Sequence, residues 1–280
     1  MKLIPVSAGE MHGDGDALFS VIPKVLWQKA YPADELNRVK VAIRCLLIDD
    51  GERKILIEAG AGEHYSEKYL KNHGLAPGKH LEESLGKAGC PVNDITDVFF
   101  THLHWDHFNG AVKNDNGRLS LTFPNADHWC SKTQWEHSKI SNIREKVAYY
   151  DNLLNFMMDS GKLNLVEKEG PLFPGIDVKF FDGHTPGQMI PFIRFEGKTV
   201  VYMADLIPTA ANIPVVWLAS FDLFPVTAME EKEAFLNEAV KNDYILFFEH
   251  DYYTECATVG WNQKGFTSEI TDKLNALIRY

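Results

Sequence analysis

Apolar residues along this chain fall into short runs bounded by turn-forming residues, and most runs have the length of a strand. Residues 39–49 are dense in Val, Ile and Leu, and 54–57 follow across Asp50-Gly51, which predicts a β-hairpin. The segments 97–101 (DVFFT), 177–181, 199–203 and 244–248 (YILFF) read as further strands, the first and last of them buried. Leu81, Leu85 and Ala88 recur at helical spacing, and residues 129–160 are polar with spaced apolar positions, which predicts a largely helical stretch. Thr227 and Glu230 stand at capping-box spacing and predict a helix from there through Val240. No repeat, low-complexity tract or Ser/Gly linker interrupts the pattern. Strand-rich and helix-rich stretches in both halves predict an α/β protein, sheets covered by helices, as one domain over residues 1–280.

Composition narrows the function classes. Hydrophobic residues make up 45% and charged residues 24%, ordinary for a globular chain. No apolar run approaches the ~20 residues that span a bilayer, so a membrane is not expected as a partner. Residues 1–9 lack the apolar core of a signal peptide, and a cytoplasmic protein is expected. Net charge is −11 with no Lys/Arg cluster, which argues against nucleic acid as a partner. Cys45, Cys90, Cys130 and Cys256 lie far apart and read as buried small hydrophobes, not disulfides. A small-molecule substrate fits this composition, and a homodimer stays open.

The chemistry concentrates in HLHWDH, residues 102–107. His102, His104, Asp106 and His107 are four coordinating side chains within six residues. Neutral imidazoles suit Zn, Mn, Fe, Ni or Cu, and a carboxylate adds hard anionic character. One short turn wraps four such groups around a single ion with difficulty, so two ions are the simpler reading. More ligands are then needed. His184 lies in the Gly/Pro-rich turn DGHTPG, Asp205 in YMADLIPT and His250 in FFEHD. Each follows an apolar strand, as functional groups at the ends of rigid elements do. A carboxylate at the end of a buried strand is costly without a cation or hydrogen bonds.

These four segments, in this order, resemble the metal motifs of the metallo-β-lactamase superfamily. More narrowly, LFSVIPKVLW (18–27), residues 32–48 and FDLFPV (221–226) are similar to the lactonase-like branch that includes YtnP-like quorum-quenching lactonases. The resemblance implies an αββα sandwich, two central mixed β-sheets flanked by helices. It implies two divalent ions, zinc foremost, with Mn, Fe or Co as alternatives. His102, His104 and His184 would hold one ion, and Asp106, His107 and His250 the other. Asp205 would bridge them, a water or hydroxide between the ions would be the nucleophile, and Asp106 would also shuttle a proton to the leaving oxygen. The implied activity is hydrolysis of lactones or esters, N-acyl homoserine lactones among them. A phosphotriester hydrolase and a non-hydrolytic di-metal binding protein are the alternatives.

Three positions depart from the pattern. Glu58, in ILIEAGAG, stands where an Asp supporting the metal loop is usual, and a solvent-facing turn is its other reading. Gln188 follows GHTPG where His is common. Leu206, Ile207 and Pro208 follow Asp205, so the Tyr of better-known lactonases is missing, which predicts modest lactonase turnover. A secreted β-lactamase, an RNA-processing nuclease, a glyoxalase-type thioesterase and a di-iron flavoprotein fit less well. They would call for a signal peptide, a basic surface, a basic C-terminal stretch and an appended flavin domain. His12, His64, His73, His80, His128 and His137 have no motif around them and read as structural or exposed. Phe19, Trp27, Phe221 and Phe224 are candidates for the core or for an apolar pocket.

Overall fold

In a computed structural model, residues 1–76 and 78–279 are described. The chain divides into two units, each built from two stretches: Met1–Met11 with Ile43–Lys168, and His12–Ala42 with Glu169 onward.

The first unit carries most of β1 (Lys2–Asp14) and of β2 (Arg38–Asp49), whose residues 12–14 and 38–42 fall to the second unit, with β3 (Lys54–Ile57), β4 (Asp97–Phe99), β5 (Val112–Asp115), β6 (Arg118–Leu121), β7 (Asp127–Ser131) and β8 (Leu163–Val166). Six of them form a sheet in the order β1-β2-β3-β4-β7-β8, and β5 pairs with β6. β2 and β3 make the expected antiparallel hairpin, while β3, β4, β7 and β8 run parallel. Leu47, Leu56, Val98, Phe100, Phe108, Phe123, Leu153 and Met157 belong to one buried cluster. The expectation of helix over 129–160 is corrected at its start. Trp129 and Cys130 lie in β7, a strand paired on both sides, and ladder pairing there outweighs the helical spacing. The helix begins only at Lys132, where the Ser131 hydroxyl accepts from the Gln134 amide at 3.0 Å. A second helix, Asp151–Asp159, completes the stretch.

His128, in β7, is fully buried with its ring stacked on Phe100. Burial holds this imidazole down at about 4, against a weaker opposing pull from Asp127. The unfolded chain therefore takes up a proton first. The stabilisation is whole above the ordinary value near 6.5 and is lost as pH falls towards 4. That limb should amount to about 3 kcal/mol. Thermal melts across this range should show it in the wild type and show it flattened in His128→Phe. Parallel acid limbs in the two proteins would refute the assignment.

The second unit holds β9 (Gly170–Phe173), β10 (Ile176–Phe181), β11 (Gln188–Phe195), β12 (Lys198–Tyr202), β13 (Ile245–Phe247), β14 (Cys256–Asn262) and β15 (Gly265–Asp272). Their order in the sheet is β15-β14-β13-β12-β11-β10-β9. β12 and β13 are parallel, and β10, β11 and β12 alternate, so β10, β12 and β13 all run the same way. The helix Pro225–Lys241 sets Phe235 against Phe181 and Phe192, with ring centroids 6.4 and 6.1 Å apart. Burying such a ring stabilises by about 1.5–3 kcal/mol. This helix starts two residues before Thr227, and no side chain caps it. Pro225 in the first turn is the start signal, because its missing N–H falls where a donor would be orphaned anyway. Phe19 and Trp27 are fully buried, whereas Phe221 and Phe224 are exposed. The four cysteines are buried and none is in a disulfide, as expected. Among the described residues no helix is long and apolar enough to cross a membrane.

Candidate metal centre

One spacing recurs at each of four strands. The last strand residue is followed three positions later by a predicted ligand: Phe99 by His102, Phe181 by His184, Tyr202 by Asp205 and Phe247 by His250. In the second unit β10, β12 and β13 point the same way, so their C-terminal ends deliver His184, Asp205 and His250 to one sheet edge.

In the first unit the loop after β4 carries HLHWDH into the short helix Trp105–Phe108. His102 and His107 are fully buried, and His104 and Asp106 nearly so. His102 and His104 each have one nitrogen committed. His102 Nδ1 is 2.9 Å from the Thr101 hydroxyl, and His104 Nε2 is 3.1 Å from Glu145 Oε1. Their other nitrogens, His102 Nε2 and His104 Nδ1, face each other at 3.0 Å. Two ring nitrogens this close share a proton or a cation. His107 presents Nε2 at 3.7 Å from Asp106 Oδ1 and Nδ1 at 3.5 Å from Glu58 Oε1.

Glu58 is fully buried, so the solvent-facing reading of this residue is corrected. Its Oε1 accepts the Thr101 amide at 2.9 Å, which holds the start of the metal loop. Its backbone lies in the left-handed region at φ 65°. The longer side chain thus does the work expected of an Asp, from a strained backbone. Ala204, just before Asp205, is left-handed too, at φ 41°. Such conformations cost about 1–3 kcal/mol each and cluster where geometry is set for function.

In the second unit the Asp205 carboxylate is spanned by two imidazoles. His184 Nε2 stands 3.1 Å from Oδ2 and His250 Nε2 stands 3.0 Å from Oδ1. The far nitrogens are held in turn. His184 Nδ1 is 3.0 Å from Asp222 Oδ1, and His250 Nδ1 donates to the Ala42 carbonyl at 2.9 Å. Burial opposes a charged His184, yet Asp205 and Asp222 outweigh it and push its pKa up to about 10. The donor set of imidazoles and carboxylates fits a divalent first-row metal. The DGHTPG turn is clamped by Glu231, which accepts the Asp182 and Gly183 amides at 2.8 and 2.9 Å. Gly183 is required there, since a Cβ would stand 2.4 Å from the Ala228 Cα. Gln188 has a role as well: its Oε1 accepts the Asp205 amide at 3.2 Å.

The profile of the metallo-beta-lactamase superfamily matches residues 39–250, well over half of the chain. The chain belongs to the metallo-beta-lactamase superfamily. Within this superfamily it is similar to the N-acyl homoserine lactonase AiiA of Bacillus thuringiensis subsp. kurstaki, 25% identical over 234 residues that cover 78% of this chain and 84% of the relative. A probable metal-dependent hydrolase from Staphylococcus aureus has a similar structure, with a TM-score of 0.87 and 30% identity over 96% of this chain and 95% of that one. AidC, a dizinc quorum-quenching lactonase solved with an N-acyl homoserine product, shares the fold at a TM-score of 0.81 and 23% identity, over 98% and 95% of the two chains. The protein is a metal-dependent hydrolase of the metallo-beta-lactamase superfamily with a mixed α/β fold.

All seven predicted ligands are thus gathered within their own units, His102, His104, Asp106 and His107 in one, His184, Asp205 and His250 in the other. Sequence reasoning missed Glu145 and Asp222. Asp222 sits in FDLFPV, where a buried acid between aromatics was the available signal. Glu145 stands in no motif.

Proposed function

We propose that the protein is a dinuclear hydrolase that opens lactones and simple esters, N-acyl homoserine lactones among them. The observation that carries this is the Asp205 carboxylate, which gives one oxygen to His184 and the other to His250. That is the arrangement of a carboxylate shared by two cations. His102, His104 and His184 would hold one ion, Asp106, His107 and His250 the other, and Asp205 both. Two such ions, zinc in the first instance, supply an activated water and polarise the substrate carbonyl.

The chain's own residues bind and orient. Asp106, at the start of the short helix, would take a proton from the attacking side to the leaving oxygen. Beside it stands an aromatic group. Tyr65 stacks on Tyr69 with centroids 4.7 Å apart, and Trp105 meets them edge-on at 5.5 and 5.7 Å. Tyr69, Trp105 and Tyr150 are only partly buried, so ring surface is open to an apolar substituent. Burial, first of all, holds the Tyr65 and Tyr69 hydroxyls well above the usual phenol range, so they are hydrogen-bond donors at neutral pH. The Tyr65 hydroxyl spends its proton on the Ala61 carbonyl at 2.6 Å and accepts from the Asn109 amide at 3.0 Å, which fixes the ring in place. The likeness to AiiA and AidC supports the lactone reading.

The test is kcat/KM for an acyl homoserine lactone, a simple lactone, an aryl ester and an aryl phosphotriester on one metal-loaded preparation whose metal content is measured. The expected result is about two ions per chain, lactone turnover ahead of the others, and loss of activity with a chelator. A content below one ion per chain after metal supplementation would sink the dinuclear reading. A tenfold lead for the phosphotriester, taken as about 1.4 kcal/mol of transition-state preference, would sink the lactone reading.

A further inference from the structure

Among the histidines of the metal loop, His104 has its tautomer set by a carboxylate. A carboxylate can only accept, so His104 Nε2, 3.1 Å from Glu145 Oε1, carries the ring proton. Nδ1 keeps the lone pair and faces His102 Nε2. Glu145 is almost fully buried and lies far from the loop in sequence. It is gripped from two more sides. His137 Nε2 is 2.6 Å from Oε2, and the Tyr149 hydroxyl is 2.8 Å from Oε1. The Tyr149 hydroxyl is also 2.8 Å from Gln134 Oε1, the same atom that accepts the Leu103 amide of the metal loop at 3.4 Å. The loop before Glu145 is itself pinned, with Asn142 Oδ1 accepting the Arg144 and Glu145 amides at 2.9 and 3.2 Å. A buried carboxylate is costly unless its partners are well placed, and here they are supplied from a helix, a loop and a 3₁₀ turn.

The geometry points to Glu145 as the positioning residue that makes His104 a Nδ1 ligand, with His137 and Tyr149 as the clamp that holds the carboxylate in place. Without it the imidazole is free to put its proton on Nδ1 and turn its lone pair away from His102. This rests on the metal-centre reading above. Carboxylates in this position behind a ligand histidine set its tautomer, its ring angle and its basicity.

The experiment measures Zn²⁺ affinity by chelator competition and the visible spectrum of the Co²⁺-loaded protein. The proteins are wild type, Glu145→Ala, Glu145→Gln, Tyr149→Phe and His137→Ala. Glu145→Ala should bind one of the ions about 10- to 100-fold more weakly and shift the Co²⁺ bands. Glu145→Gln, whose amide oxygen still accepts from Nε2, should recover most of that loss. Tyr149→Phe and His137→Ala keep the carboxylate and loosen it, so each should weaken the same ion by a few-fold, and they carry the test if Glu145→Ala does not fold. Wild-type affinity and an unchanged spectrum in Glu145→Ala, or in both clamp variants, would overturn the assignment. A lowered melting temperature of the metal-free protein with unchanged affinity would overturn it too, since that is what a purely structural role predicts. A wild type that takes up no ion would remove the metal-centre reading itself.

Discussion

Asp205→Asn should lose metal and activity together. The carboxylate offers an anionic oxygen to each of two imidazole sites, His184 at 3.1 Å and His250 at 3.0 Å. An asparagine presents one neutral oxygen and one N–H₂ donor, and the donor would face a group that needs an acceptor. The change also removes a negative charge that faces two buried imidazoles. A drop in kcat/KM of about three orders of magnitude is expected, equivalent to ~4 kcal/mol. Metal content, measured on the same preparation, should fall well below that of the wild type. The fold should survive, because the Asp205 backbone amide keeps its bond to Gln188 Oε1. Full metal content with wild-type turnover would make Asp205 an ordinary turn residue.

Gly110→Ala should be the most damaging change that touches no ligand. The loops 58–62 and 107–110 run against each other with backbones in contact. The Ala59 amide donates to the His107 carbonyl at 2.8 Å, and the Gly110 amide donates to the Gly60 carbonyl at 2.8 Å. A Cβ on Gly110 would stand 2.0 Å from the Ala59 carbonyl oxygen and 2.9 Å from its carbon. Backbone on both sides cannot yield as a side-chain tip would. Overpacking of this kind costs about 3 kcal/mol or more. For a chain of this length that is a fall in melting temperature of roughly 5 °C. The strain would move Glu58 relative to His107, so metal affinity should fall as well. Gly86→Ala is the matched control. It lies in the helix His80–Lys87 with nothing within 4 Å of the added carbon, and should leave the melting temperature level or slightly higher. Equal melting temperatures for Gly110→Ala and wild type would show that the two loops are not packed as described.

The candidate ligands are legible in the sequence because coordination chemistry restricts residue type more tightly than packing does. HLHWDH, DGHTPG, ADLIPT and FFEHD announce themselves by crowding His and Asp at the ends of apolar runs, and those runs are the strands found. The hairpin of β2 and β3 was equally plain, from Asp-Gly between two β-branched runs. Strands with mixed exposure escaped. β1 and β15 are largely half-exposed and polar in composition, so they lack the apolar run that marked the others, and only pairing with neighbours makes them strands.

What the sequence by itself determined is the chemistry: which side chains can hold a cation, in which order they come, and what family they resemble. What only the tertiary structure decided is which atom of each side chain is offered. An imidazole has two nitrogens, and nothing in HLHWDH says which one carries the proton. Glu145 settles it for His104, Asp222 for His184 and Ala42 for His250, each from a segment far away along the chain. Glu58 belongs with them, a residue visible in the sequence whose direction was not. A hydrogen bond depends on distance and angle in space and leaves no periodic trace along the chain, so these outer partners become readable only once the sheets have brought the segments together.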